Sequence, residues 1–265
     1  MPHSPDSSAA TRPPRISVAI ITRDEAEDIR DCLASVAWAD EIVVVDQAST
    51  DGTADAARAA GAHVIMAPEW HGFGHQKNLA VDACSGDWIL SIDADERVPE
   101  DLAHEIAAAV LDARRDAYEI PRKSSYCGRF MQHGGWSTDY VVRLFKRGQA
   151  RFTPDRVHER LAVDGTVGRL ENHLIHYSFR NMEDVLDKVN RYSTESAQML
   201  VERGARPSIF AAIAHGAAAF LRTYVLKRGF LDGSHGFMLA VSNAEGSYYR
   251  YVKAMLAQKP PADEA

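Results

Sequence analysis

Apolar runs closed by polar clusters recur at regular intervals through the first hundred residues. Ile16 to Thr22, Glu41 to Asp46, His63 to Pro68 and Trp88 to Asp93 are near-continuous apolar segments of strand length, the pattern of strands buried on both faces. Between them, Glu25 to Ala37 has helical periodicity, Thr53 to Ala60 is an alanine-rich helix closed by Gly61, and Gln76 to Cys84 follows the third strand. Strand and helix in alternation predict βαβ units and a mostly parallel sheet, an α/β fold. After Glu96 a helix from Pro99 to Ala113 leads to short strand-like pieces, Tyr118 to Pro121, Val141 to Lys146 and Val157 to Val163, joined by Gly-rich segments. Helical periodicity returns over Met182 to Arg203, Ala211 to Lys227 and Ser242 to Ala257, with no internal repeat.

The strand ends carry the chemistry. Thr22-Arg23-Asp24-Glu25, Asp46-Gln47-Ala48-Ser49 and Asp93-Ala94-Asp95 each follow an apolar run, and in a parallel sheet such ends lie along one edge, where open α/β folds bind ligands. Asp93 and Asp95 flank a small residue, a spacing that lets two carboxylates address one hard divalent ion, Mg²⁺ or Mn²⁺, with substrate phosphates completing its shell. Asp46, last in its strand, can accept hydrogen bonds from a base or ribose. Ser49, Thr50 or Asp51 can cap the helix that follows it. Gly72-Phe73-Gly74-His75-Gln76-Lys77-Asn78 sets a turn and a cation before a helix; Lys77 either balances pyrophosphate or is a solvated helix residue. Its Gly-x-Gly lacks the third glycine of a dinucleotide fingerprint.

Composition narrows the class. The chain of 265 residues, 46% hydrophobic and 25% charged, reads as an ordinary globular protein with a full core. A formal net charge of -7 argues against a nucleic-acid binder, which needs a basic stripe to neutralise phosphates. Cys32, Cys84 and Cys127 are odd in number and widely spaced, which suggests reduced thiols and a cytoplasmic location. The first fifteen residues, rich in Pro, Ser and Ala, read as a flexible tail without the apolar core of a signal peptide. The longest apolar run, Ile209 to Leu221, falls short of the roughly 20 residues that cross a bilayer.

Together, Ile16-Ser17-Val18-Ala19-Ile20-Ile21-Thr22, Val45-Asp46 with Ser49-Thr50-Asp51-Gly52-Thr53, Gln76-Lys77-Asn78 and Asp93-Ala94-Asp95-Glu96 resemble glycosyltransferase family 2. The resemblance implies the GT-A fold, a Rossmann-like sheet flanked by helices, here with a helical C-terminal extension. Trp136-Ser137-Thr138-Asp139 before Arg143-Leu144-Phe145, Val157-His158-Glu159, Lys188 to Ser193 and Gly229-Phe230-Leu231-Asp232-Gly233 look like the bacterial branch that includes lipopolysaccharide core β-glucosyltransferases. Two positions depart from that pattern: Asp24, where asparagine is common, and Gln47-Ala48, where Ser-Gly is usual. The implied organisation is a tail over 1–15, a nucleotide-sugar half over 16–115, an acceptor half over 116–180 and a helical extension over 181–265.

The resemblance implies an inverting, metal-dependent transfer of a hexose, glucose from UDP in the nearest-looking relatives, to a glycolipid or lipopolysaccharide-core acceptor. Asp95 and Asp93 would hold Mg²⁺ or Mn²⁺, with His158 as an auxiliary ligand. Thr22, Asp24, Glu25, Asp46, Ser49, Asp51, Lys77, Asp93, Trp136 and Arg143 would line the substrate. Glu159 is the first candidate for the base and Asp139 the second; the alternative reading pairs Glu159 with Arg156 or Arg160 at a surface turn. Two other functions remain open, a sugar nucleotidyltransferase and a nucleotide-sugar-binding protein without catalysis. The apolar segment Ile209 to Leu226, with Arg222, Lys227 and Arg228, suits either an interfacial helix on the inner leaflet of the cytoplasmic membrane or a core or dimer helix. The sequence leaves the oligomeric state undetermined.

Overall fold

The computed structural model describes residues 12–136, 139–153 and 160–258. In chain order the strands are β1 (Ile16–Thr22), β2 (Glu41–Asp46), β3 (His63–Met66), β4 (Trp88–Asp93), β5 (Glu96–Arg97), β6 (Ala117–Tyr126), β7 (Arg129–Phe130), β8 (Asp139–Lys146), β9 (Ala150–Phe152), β10 (Leu161–Val163), β11 (Val167–Arg169) and β12 (Leu174–Phe179). The helices are α1 (Ile29–Ser35), α2 (Thr53–Ala59), α3 (Phe73–Ala83), α4 (Glu100–Asp112), α5 (Met182–Glu202), α6 (Ile209–Leu221) and α7 (Gly233–Ala257), with a π turn over Arg222–Leu226 and a 3₁₀ turn over Gly229–Asp232. The chain divides into two compact units, one made of the residues up to Ala94 with Val98–Ile120 and Val142–Asn172, the other of Asp95–Arg97, Pro121–Val141 and the chain from His173 onward.

In the first unit β1, β2, β3 and β4 are parallel, in the order β3-β2-β1-β4, and β8 adds antiparallel to β4. Val18, Ile20, Val43, Val44, Ile89 and Leu90 are buried almost completely, as a sheet covered on both faces requires. Helix α4 offers Leu102, Ile106 and Val110 at spacings of four, one apolar stripe facing a core. The register sets Thr22 against Asp46, and Ile21 against both Val45 and Asp93. The predicted convergence of strand ends therefore holds for Thr22, Asp46 and Asp93.

Several predicted boundaries shift. The segment Phe73–His75, read as a turn, is the first turn of α3, and the positive φ of this stretch falls on its N-cap, Gly72 (φ 101°). Strand β6 runs to Tyr126 rather than stopping at Pro121, because its polar continuation is paired in register with β12 from Arg122↔Leu174 onward.

In the second unit the distal half of β6 pairs in parallel with β12, and β5 and β7 add antiparallel, β5 to β12 and β7 to β6. Asn181 caps α5 by accepting from the Asp184 amide at 2.8 Å, and Ser208 caps α6 through the Ala211 amide at 3.3 Å. Helix α7 begins nine residues before the predicted Ser242. Gly233 and Gly236 hide that start in the sequence. A Cβ on Gly236 would lie 1.8 Å from the Gly229 carbonyl oxygen, so only glycine lets the first turn of α7 approach the 3₁₀ turn this closely.

Candidate functional site

The exits of β1 and β2 are stapled to each other by polar side chains. Asp46 is fully buried and its two carboxylate oxygens accept from the Ser49 amide at 2.9 Å and the Ser49 hydroxyl at 2.6 Å. The Ser49 hydroxyl oxygen in turn accepts from the Asp24 amide at 2.8 Å, and Asp24 accepts from the Thr50 amide at 2.9 Å. Asp51 takes the Ala26 amide at 2.9 Å and the Thr53 amide and hydroxyl, while the Thr53 hydroxyl oxygen accepts from the Glu25 amide at 2.8 Å. The Thr53 hydroxyl bond and these amides hold the Asp51 carboxyl below its usual range. Asp24, Glu25, Ser49 and Asp51, expected along the substrate, thus also form the scaffold of the two loops.

Both departures from the family pattern fall on strained backbone. Asp24 and Ala48 have φ values of 52° and 53°, the left-handed region that costs a residue with a Cβ about 1–2 kcal/mol and that Gly, Asn and Asp tolerate best. Asparagine at 24 and glycine at 48, the residues the resemblance implies, are ones this geometry favours.

The Gln76-Lys77-Asn78 triplet faces three ways from one turn of α3. Gln76 donates to the Glu69 carbonyl at 2.7 Å and fixes the loop after β3. Asn78 makes a two-way amide pair with the backbone of Phe152 on β9, each bond 3.0 Å. Lys77 is buried and its ammonium lies 3.0 Å from the Asp93 carboxylate. Arg143, on β8 and also buried, reaches the other oxygen of Asp93 at 2.6 Å. Burial by itself would raise the Asp93 carboxyl, but the Arg143 guanidinium and the Lys77 ammonium outweigh it and hold the group well below the ordinary aspartate range. Asp93 is ionised and neutralised by cations of its own chain. Beside this cluster, Thr22 Oγ1 and Gln76 Oε1 are buried with no hydrogen-bond partner among the described residues. Buried polar atoms are rarely left so, and these two are available to a ligand.

In the second unit Asp95 has a different kind of neighbour. Its carboxylate lies 3.2 Å from Nε2 of His176 on β12, and its carbonyl accepts from the Tyr177 amide at 2.9 Å. The other ring nitrogen of His176, Nδ1, is 3.0 Å from the Ser124 hydroxyl. Register explains the set, since His176 stands opposite Ser124 on β6 and Glu96 on β5. Glu96 is fully buried, 3.5 Å from Arg122, and Arg122 donates through Nε and Nη2 to one oxygen of Asp139. Asp139, the second candidate for the base, is therefore engaged in a guanidinium pair. Trp136 stacks on Phe179 at 5.9 Å and meets Tyr126 edge-on at 5.8 Å in a small core of its own. Glu159 and His158 lie outside the described residues.

A carboxylate and an imidazole presented together, with the imidazole oriented through its far nitrogen, suit a divalent ion. No cluster of three or more His, Cys, Asp or Glu side chains suited to a metal occurs among the described residues, so a bound ion would draw its remaining ligands from water and substrate oxygens, as Mg²⁺ and Mn²⁺ do at phosphate sites. The residues fit such an ion. Sequence reasoning passed over His176 and Arg122, because a lone histidine in a short strand has no spacing partner; Asp95 is 81 residues away along the chain.

The chain matches the family model for glycosyl transferase family 2 over residues 17–160. It is 33% identical over 252 residues to an uncharacterized glycosyltransferase of Rickettsia prowazekii, covering 90% of this chain and 86% of that one. To the lipopolysaccharide core biosynthesis glycosyltransferase LpsC of Rhizobium meliloti it is 31% identical over 267 residues, with 94% and 97% covered. Among solved structures, it is similar to the glucosyl-3-phosphoglycerate synthase of Mycobacterium tuberculosis in complex with Mn²⁺, uridine diphosphate and glucosyl-3-phosphoglycerate, at 28% identity and a TM-score of 0.36, over 43% of this chain and 45% of that one. The chain belongs to glycosyltransferase family 2. Its mostly parallel, helix-flanked sheet with a helical C-terminal part is the GT-A architecture expected of that family.

Proposed function

We propose that this protein is an inverting hexosyltransferase that moves a sugar, glucose in the first instance, from a UDP-sugar to a glycolipid or lipopolysaccharide-core acceptor. The observation that carries the reading is the Asp95–His176 pair at 3.2 Å, a protein half-shell for one divalent ion immediately after a buried strand. Membership of the family supports sugar transfer, and the likeness to a lipopolysaccharide core biosynthesis glycosyltransferase of Rhizobium meliloti supports the lipopolysaccharide core as acceptor. In this reading the acceptor hydroxyl attacks the anomeric carbon while the bond to the UDP oxygen breaks, and the hydroxyl proton passes to a carboxylate. A bound Mg²⁺ or Mn²⁺ supplies stabilisation of the negative charge that develops on the leaving diphosphate. Asp95 and His176 would hold that ion. Thr22 addresses the nucleoside through its unpartnered hydroxyl, Asp46 holds the Ser49 loop beside it, and Lys77 and Arg143 keep Asp93 ionised and fixed. Glu159 takes the proton, because Asp139 is engaged by Arg122.

The test is a thermal-shift panel of nucleotide sugars with and without Mn²⁺, followed by product analysis. Wild-type protein should be stabilised by UDP-glucose only with the metal and release UDP on transfer; Asp95→Ala should lose the metal-dependent shift and about a hundredfold or more of turnover. Release of pyrophosphate would assign a nucleotidyltransferase instead, and an unchanged metal-dependent shift in Asp95→Ala would remove the metal from this residue.

A further inference from the structure

Helix α6 and the π turn after it form one continuous segment, Ile209–Leu226, which is long and apolar enough by composition to cross a membrane and yet is only 17% buried. The π turn carries the helix to Leu226, within the Ala211 to Lys227 span the sequence predicts. The segment is apolar on two faces. Ala212 and Gly216 are buried toward α7, and a Cβ on Gly216 would come within 3.3 Å of both the Ala244 carbonyl and the Tyr248 side chain. The opposite face presents Phe210, Ile213, Ala217 and Leu221, which share a helical stripe, and Leu226 follows; Phe210 and Leu226 are 80% and 77% exposed. A surface helix of a soluble domain normally turns polar residues outward. Contiguous exposed apolar surface of this kind marks a contact face.

Charge selects the partner. From Arg203 to Leu231 the chain holds five cations, Arg203, Arg206, Arg222, Lys227 and Arg228, and no carboxylate, although the whole protein carries a net charge of -7. A second copy of the chain docked face to face would bring these like charges together. Crossing a bilayer would take the side of α6 that holds α7 into lipid, along with Glu245, Arg250 and Lys253 of α7. An anionic bilayer surface meets the apolar stripe and the flanking cations at once.

We infer that the outer face of α6, with the exposed Phe230 and Leu231 beyond it, is a peripheral docking surface for an anionic lipid bilayer, the helix lying in the plane of the headgroups. The inference deepens the proposed function by naming where a glycolipid acceptor is met; it rests on that reading for its purpose, but not for the surface itself.

The experiment is co-sedimentation of the full-length protein with vesicles of phosphatidylcholine alone and of phosphatidylcholine with phosphatidylglycerol. Wild-type protein should partition onto the anionic vesicles, at least about tenfold more than onto neutral ones, and less as salt is raised. Phe210→Ser with Leu226→Ser, both at exposed sites, and separately Arg206→Gln with Arg222→Gln, should each lower that partition about tenfold or more. Both variants should keep the wild-type melting temperature and Mn²⁺-dependent UDP-glucose shift. Equal binding of wild type to both vesicle types, or unchanged binding of either variant, overturns the inference; so does a lipid-free dimer, seen by analytical ultracentrifugation, that the Phe210/Leu226 variant dissolves. Vesicle binding by a protein that shows no metal-dependent nucleotide-sugar shift leaves the surface standing and removes the function.

Discussion

Asp93 and Asp95 are two residues apart and carry the same side chain, yet their surroundings assign them different work. Asp93, at the end of β4, is enclosed by Lys77 and Arg143, and its charge is balanced before any ligand arrives. Asp95 faces His176, whose imidazole is itself a metal ligand type. An ion added at Asp93 would compete with two fixed cations; one added at Asp95 finds a carboxylate and an imidazole. The Asp-x-Asp motif is thus asymmetric, with the first carboxylate organising strands and the second available for coordination.

The largest expected effect breaks the comparison on stability. Removing one member of a buried charge cluster leaves the others uncompensated and typically costs 3 kcal/mol or more. Asp93→Ala, which strands Lys77 and Arg143, should lower the unfolding free energy by about 3 kcal/mol; Asp95→Ala should cost about 1 kcal/mol or less, the worth of an ordinary hydrogen bond. Urea denaturation of the two variants without metal measures both. Equal losses would show that the two aspartates share one structural role.

Acid sharpens the same contrast. The native Asp93 carboxyl sits well below its ordinary value, so the stability it contributes is fully present above the unfolded value of about 3.9 and is lost as pH falls through the native one. Protonated aspartate resembles asparagine. The stability gap between wild type and Asp93→Asn should therefore be constant from neutral pH to about pH 5 and shrink steadily below about pH 4. A gap that closed instead between neutrality and pH 5 would locate the linkage on a histidine.

His176 tests the other half. His176→Ala should weaken Mn²⁺ binding, followed by electron paramagnetic resonance in the absence of donor, by about tenfold or more, and should leave the Asp93 acid transition where it was. Unaltered Mn²⁺ affinity would reduce His176 to a strand-pairing residue that happens to touch Asp95.

How much of this was legible follows from burial and range. β1, β2 and β4 begin and end where the apolar runs do, because strands covered on both faces leave few polar positions to blur them. The convergence of Thr22, Asp46 and Asp93 follows from parallel pairing alone. The partners of Asp93 and Asp95 were not legible in the same way. The sequence leaves Lys77 either on pyrophosphate or as a solvated helix residue and sets Arg143 along the substrate, since a sequence shows a cation without showing the carboxylate it faces, and the pairing of His176 with Asp95 depends on the registry of β12 between β6 and β5. The early turns of α7 were hidden by glycines whose reason is a backbone contact with Gly229.

The smallest effect concerns a strained position in the loop after β2. Ala48 holds φ at 53° in the loop that Asp46 and Ser49 staple, and its side chain is exposed, so replacing it with glycine removes a left-handed penalty of about 1–2 kcal/mol without opening a cavity. Against that gain stands the greater freedom of glycine in the unfolded chain, about 0.4–1 kcal/mol. Ala48→Gly should therefore stabilise the protein by about 0.5–1 kcal/mol, detectable as a higher urea midpoint with an unchanged slope. Because the hydrogen bonds around Asp46 use the Ser49 amide and hydroxyl rather than residue 48, the substitution should leave both the Asp93 acid transition and Mn²⁺ binding at Asp95 as they are. A stabilised variant whose Mn²⁺ affinity also rose would mean that this loop strain is transmitted to Asp95, and that the separation between the two aspartates is less complete than their partners imply.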